Sequence, residues 1–444
     1  MRIIGSSEFD AYWREARLLP QDDEKTEAAV REIIAAVRKD GDRAVRLFAS
    51  RFDRSAPEKT EVPAAAVRDA YDRLGTEDPS LMEALKLAAD HIRRFALEQK
   101  NQFFDFEYEM EEGLTAGQRV IPVERAAVYA PAGRFPLVSS VLMGVIPAVA
   151  AGSSEVILAS PPLEDGLPDR RILAASSLAG ADRVFALGGA QAVAALALGT
   201  ETIPRADVIA GPGNKYVAAA KRLLYGEVGI DFIAGPTDVL VVAGEDWAGD
   251  SAEADPAMAA DIAAADMLAQ AEHDPDARAR ALVPSGKTAE LVALALERRL
   301  LSLPSAAQAR ASLDSGGLIV VCRTLEEAAR IANTIAPEHL ELQVPRPERW
   351  MPLLKNYGSL FIGSLAAEVL GDYSAGINHT LPTSGSARFS GGLSVRHFLK
   401  TVTTLRCTKG PGWEQAVDAA ERIAAAEGLS GHAASARIRR SLRG

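Results

Sequence analysis

From about residue 120 the chain alternates short apolar runs, each ended by Gly or Pro, with longer Ala-rich stretches at helical spacing. Residues 123–130 lead into Pro131-Ala-Gly133, 156–159 into Ser160-Pro-Pro162, 183–187 into Gly188-Gly189, and 208–210 into Gly211-Pro-Gly213. A run that is apolar at every position belongs to a strand covered on both faces. Strand, turn and helix in repeated order then predict a parallel α/β layer, whose ligands bind outside the carboxyl ends of the strands. The pattern restarts downstream, with strands at 238–242, 281–283 and 317–321 and helices at 256–271, 289–299 and 325–335. At 444 residues the chain is longer than one core usually serves, so two α/β domains are expected.

The flanks read differently. Residues 21–50 predict two amphipathic helices broken at Gly41, and residues 79–99 a further helix, in which His91 has no ligand-type neighbour and reads as a structural histidine. Residues 414–443 predict a polar, Ala-rich helix interrupted at Gly428 and Gly431, too weak to stand alone. A formal charge of −11 without a basic run offers a phosphate backbone nothing to hold, so no nucleic-acid partner is expected. The amino terminus lacks the apolar core of a secretory signal, and residues 141–151 are too few to span a bilayer. Cys322 and Cys407 form no motif. A cytoplasmic enzyme without a membrane role is the expectation.

Four of the six histidines lie in clusters of other ligand-type residues. Gln270 and His273 are three apart at a predicted helix end, where both side chains can meet one ion. Asp372 sits in a Gly-rich passage read as a loop, before Asn378-His379, and His432 follows Glu427 by five residues. Amide oxygen, carboxylate and imidazole without thiolate suit Zn²⁺. Glu338 and His339 adjoin after a helix that Pro337 should stop; an imidazole beside a carboxylate suits proton transfer. Taken singly, each cluster is equally a polar helix end, a turn or a loop. Gly188-Gly-Ala-Gln191 and Gly211-Pro-Gly-Asn214 are turns after strands, where backbone amides can approach a pyrophosphate, although the third glycine of the dinucleotide fingerprint is missing.

In order, Val128-Tyr-Ala-Pro-Ala-Gly133, Leu187-Gly-Gly-Ala-Gln191, Ala210-Gly-Pro-Gly-Asn214, Gln270-Ala-Glu-His273, Ala336-Pro-Glu-His-Leu-Glu341, Asn378-His-Thr-Leu-Pro-Thr383 and residues 427–432 closely resemble the histidinol dehydrogenase family. The resemblance implies a homodimer of two incomplete Rossmann-like α/β domains with small exchanged terminal segments, oxidising L-histidinol through L-histidinal to L-histidine with NAD. It implies zinc on Gln270, His273, Asp372 and His432, NAD contacts from Tyr129, Gln191 and Asn214, and Glu338 with His339 as acid/base pair. Thr237, His379 and Glu427 would place the substrate together with Gln270, His273, His339, Asp372 and His432. The implied division is an N-terminal segment 1–25, a first domain from 26–128 and 236–390 carrying metal and catalytic residues, a second domain 129–235 on the NAD side, and a tail 391–444 docking on the partner subunit.

Two departures stand out. The family's Gly-Pro-Ser-Glu is Gly235-Pro-Thr237-Asp238 here, and an acidic insertion lengthens residues 244–255. The altered pair bears on substrate choice. Three other readings remain: a paralogue acting on another amino alcohol or a sulfonated diol, a non-catalytic small-molecule binding protein, and a zinc hydrolase.

Overall fold

Every residue of the strand Asp238–Ala243 is buried, and its two faces enter two different cores. Val239 and Val241 pack against the helix Pro256–Ala271, while Leu240 and Val242 face the helix Leu325–Ile335. From Val239 onward, period-two alternation without polar positions therefore makes this a middle strand. The computed structural model describes residues 1–17, 24–132, 136–244, 247 and 255–442. In it a six-stranded parallel sheet runs in the order Arg2–Gly5, Leu318–Val321, Arg278–Val283, Asp238–Ala243, His339–Gln343, Ser359–Ile362.

A second parallel sheet has five strands, ordered Arg183–Ala186, Glu155–Ser160, Arg125–Tyr129, Val208–Ala210, Gly229–Ile230. Its middle strand repeats the device: Ala126 and Val128 enter one core, Ala127 and Tyr129 the other. The helix Glu24–Phe52, kinked at Gly41, covers one face, and the helices Ala64–Glu77 and Pro79–Lys100 the other. The expected division groups residues 26–128 with the metal-bearing domain; the helices of 24–100 bury their apolar stripes on the five-stranded sheet. The N-terminal strand Arg2–Gly5 likewise joins the six-stranded sheet as an edge.

A third, antiparallel sheet of Leu399–Cys407, Leu114–Pro122 and Phe106–Glu111 was not expected. Beside it lie the helices Pro411–Ala426 and Ser430–Ile438. The chain breaks between them at Gly428 (φ 76°), whereas Gly431 lies inside the second helix and interrupts nothing. Most of the acidic insertion, residues 245–246 and 248–254, and Gly133 of the first motif lie outside the described residues.

The turn after Val208–Ala210 is held from below. Gly211 has φ 112°, and a Cβ there would fall 2.2 Å from the Tyr129 carbonyl oxygen, so only glycine lets the turn lie against the neighbouring strand. Asp231 accepts from the Gly211 N–H (2.8 Å), Lys221 donates to the Gly211 carbonyl (3.0 Å), and the two side chains pair, each almost wholly buried. Removing one partner strands the other charge away from water. Lys221→Met should destabilise the fold by about 3–5 kcal/mol in urea unfolding, and Lys221→Met with Asp231→Leu by clearly less.

Candidate active site

Three elements each bring a polar stripe to one place. On the strand His339–Gln343, His339, Glu341 and Gln343 share a face by period two. On the helix Pro256–Ala271 and its end, Asp266, Gln270 and His273 follow at i, i+4 and i+7; on the helix Glu368–Tyr373, Glu368 and Asp372 follow at i and i+4. Asp372 thus belongs to a short helix rather than to the expected loop. Pro337 stops the preceding helix as expected, with Ala336 in the left-handed region, but Glu338-His339 opens a central strand.

A cleft of about 200 Å³ results, into which Thr237, Gln270, His273, Glu338, His339, Asp372 and His379 all project. It lies beyond the amino ends of Asp238–Ala243 and His339–Gln343, and faces Gly213 in the turn after the carboxyl end of Val208–Ala210. The carboxyl-end rule therefore holds for the five-stranded sheet, while the six-stranded sheet presents its opposite edge. His379 ties the two layers together, its Nδ1 3.0 Å from the Asp372 carbonyl oxygen and its Nε2 3.5 Å from Ser140 Oγ. His91 is the structural histidine the sequence suggests: its Nδ1 lies 2.7 Å from the Ser374 carbonyl oxygen and braces the end of that short helix.

Glu338 and His339 are 6% and 3% exposed. Glu338 Oε2 accepts from Thr237 Oγ1 (2.6 Å) and the Asp238 N–H (3.0 Å), and its own N–H donates to Asp238 Oδ1 (2.7 Å). His339 Nδ1 lies 3.2 Å from the Asp238 carbonyl oxygen and 3.5 Å from Glu368 Oε1, and Nε2 is 3.6 Å from Asp372 Oδ1. Burial pushes Glu338 up to about 7 despite His339 beside it, and burial, again against His339, pushes Glu368 up to about 8. For His339 burial pulls downward, but Glu368, Glu338 and Asp372 outweigh it and hold the imidazole well above its ordinary value. Asp372 is lowered: burial opposes its charge, and the His339 contact prevails.

Glu368 is the residue that sequence reasoning missed. It is buried, lies within reach of His339, and contacts the Gln270 amide, which sits between Glu368 Oε1 (2.8 Å) and Thr237 Oγ1 (2.6 Å). Its backbone N–H donates to buried Glu341 (2.8 Å). The i, i+4 spacing to Asp372 was the available signal.

The remaining candidates lie elsewhere. Tyr129 is buried, its hydroxyl accepting from the Gly189 N–H (3.1 Å), and buried Gln191 donates to Asp53 Oδ2 (3.3 Å), so both brace the Gly188-Gly189 turn from beneath. Asn214 is exposed and caps the helix Lys215–Leu224 through the N–H groups of Tyr216 and Val217. Glu427 and His432 do not reach the cleft; they line a separate groove of about 850 Å³ beside Trp413 and Leu405.

The family model for histidinol dehydrogenase matches residues 18–440. The chain is 46% identical over 419 residues to the histidinol dehydrogenase of Thermus thermophilus, covering 94% of this chain and 95% of that one, and 44% identical over 422 residues to that of Aquifex aeolicus, covering 94% and 93%. The chain belongs to the histidinol dehydrogenase family. A crystal structure of histidinol dehydrogenase from Elizabethkingia anophelis superposes with a TM-score of 0.85 at 33% identity, covering 95% of this chain and 92% of that one.

Histidinol dehydrogenases are NAD-dependent, zinc-containing oxidoreductases, and the cleft fits a cation. Asp372 Oδ1, Glu368 Oε2 and His339 Nε2 are buried without hydrogen-bond partners, and ligand atoms of these three residues lie within 4.8 Å of one another. The acids around His339 favour its charged form, which opposes their own charge; a bound cation would take over that part and release the imidazole as a base. Pro212 and Gly213 form the opposite wall of the cleft.

Two outcomes follow from the electrostatics. In metal-free protein Glu368→Gln removes the nearest ionisable carboxyl from His339, so the pKa of the imidazole should fall, read by NMR titration of the ring. Glu338 is raised from 4.5 to about 7, so its neutral form stabilises the fold fully below pH 4.5 and that contribution, on the order of 3 kcal/mol, is lost as pH rises through 7. Glu338→Gln, which cannot ionise, should flatten the decline in Tm of the metal-free protein between pH 5 and 8.

Proposed function

We propose that this chain oxidises L-histidinol through L-histidinal to L-histidine, reducing two NAD⁺, and that it does so as a homodimer. What carries this reading is the convergence of Gln270, His273, Asp372, Glu338 and His339 on one cleft, in a chain of the histidinol dehydrogenase family. Gln270, His273 and Asp372 would hold zinc, with His432 supplied by a second copy. That Glu427 and His432 line a groove of their own supports a tail that docks on a partner.

Bound zinc would anchor the amino and imidazole nitrogens of the substrate, and NAD⁺ would accept the hydrides. The Asp238 carbonyl oxygen, 3.2 Å from His339 Nδ1, favours the tautomer with its proton on Nδ1. Nε2 then carries the lone pair and takes the hydroxyl proton of the alcohol. Oxidation of the aldehyde needs water added to the carbonyl, and Glu338, gripped by Thr237 and the Asp238 N–H, is placed to orient that water and take its proton. A covalent thiol route has no nucleophile in the cleft: Cys322 is buried in the core, its thiol pushed up to about 12 by burial, and Cys407 is exposed on the antiparallel sheet. Thr237 and Glu427 would help place the substrate with His379.

The deciding experiment counts NADH formed per L-histidinol consumed, with and without chelator. Two NADH per alcohol, abolished by chelator and restored by Zn²⁺, is the expected result; a ratio of one, or turnover indifferent to chelator, overturns it. His339→Asn should lower kcat by roughly 10²–10⁴-fold. Glu338→Gln should slow the second oxidation more than the first, so that trapped L-histidinal accumulates during turnover.

A further inference from the structure

Behind Asp238, on the side away from the cleft residues Gln270 and His273, lies a second cavity of about 700 Å³. Arg278, Arg280 and Arg388 line it, with Trp13 and Tyr12, and among the described residues Asp238 is the one carboxylate in its wall. Arg278 and Arg280 stand two apart on the strand Arg278–Val283 and therefore point to the same face. Arg280 is 5% exposed, its guanidinium 5.3 Å from the Trp13 ring centroid. It donates to Asp238 Oδ2 (3.2 Å), but its Nε and the indole N–H of Trp13 are buried without partners. Arg278 pairs with no carboxylate among the described residues, and Arg388 donates to the Thr334 carbonyl oxygen. Burial, together with Arg278 nearby, lowers the pKa of Arg280 even with Asp238 opposite.

Three guanidinium groups against one carboxylate, two of them held side by side in a partly enclosed space, form an anion site by charge and by donor geometry. We propose that this cavity binds a small metabolite through an oxyanion, phosphate or carboxylate, held by Arg278, Arg280 and Arg388 with the Trp13 ring as its apolar wall. The site is wired to the catalytic pair by Asp238, whose Oδ2 faces Arg280 while Oδ1 accepts from the Glu338 N–H at 2.7 Å. An anion that draws Arg280 away loosens Asp238 and with it the seat of Glu338. The binding itself is independent of the proposed activity; only this second effect rests on it.

Calorimetry on the full-length protein tests the site with inorganic phosphate, ribose 5-phosphate and citrate as probes, in both chelator-treated and zinc-loaded protein. Saturable binding of at least one probe in both forms is expected, weakened at least tenfold by Arg278→Gln and by Arg388→Gln, two changes outside the buried core. Tighter binding of the sugar phosphate than of phosphate identifies an organic phosphate, and tighter binding of citrate a carboxylate. No saturable binding of any probe, or binding unchanged in both variants, overturns the site. With the tightest probe bound, L-histidinol turnover should fall at least twofold in wild type and stay level in Arg278→Gln. An unchanged wild-type rate on a saturated site overturns the coupling through Asp238, whereas absent turnover with binding intact instead strikes the functional reading above.

Discussion

Parallel pairing of Asp238–Ala243 with His339–Gln343 is the contact on which the site rests. It sets residues a hundred positions apart in register, His339 opposite Val239, so that the backbone and carboxylate of Asp238 grip Glu338 and His339. Both strands are buried, so water cannot compete for these bonds and each is worth more than it would be at a surface. A slip of one residue would turn His339 into the opposite core and bring Leu340 to the cleft. Apolar packing of the sheet thereby fixes the position of polar atoms that contribute nothing to that packing.

Crowding carboxyl groups around an imidazole in a buried cleft opposes folding unless something balances the charge. The protein meets this in two ways. Glu338 and Glu368 are pushed toward their neutral forms by burial, and His339 is pushed toward its charged form by the acids around it. The balance is provisional, because the partnerless oxygens of Glu368 and Asp372 and the Nε2 of His339 all face one small space. Functional sites commonly retain such unsatisfied groups, and their stability cost is borne by the rest of the fold.

Much of this was legible from residue patterns. The inner strands Arg125–Tyr129, Glu155–Ser160, Val208–Ala210, Asp238–Ala243 and Leu318–Val321 stand out as apolar runs, whereas His339–Gln343, which alternates polar and apolar residues, does not, and the helix Pro256–Ala271 begins and ends where its caps and periodicity place it. The chain order of Gln270, His273, Glu338, His339 and Asp372 marked the cleft through family resemblance; spacing alone left each with an ordinary structural reading. Where the reading failed, the reasons differ. Phe106-Glu-Tyr-Glu-Met-Glu111 alternates as a strand should, but it is too polar to resemble the buried runs on which the reading was built. The resemblance grouped residues 26–128 with the metal-bearing domain, and the helices of 24–100 could not be placed from their own pattern, because an amphipathic stripe says that a face is buried and not against what. Glu368 lacked a motif and is important only because a short helix turns it inward beside Asp372.

Glu427 and His432, which the resemblance implies for the substrate and the metal, lie on a groove apart from the cleft. On the proposed reading a working centre is composite, its walls encoded by one copy and its last ligand by another. Two inactive alleles, one damaged at Gln270 and one at His432, would then rescue each other when expressed together, since a mixed pair assembles one undamaged centre from the sound half of each.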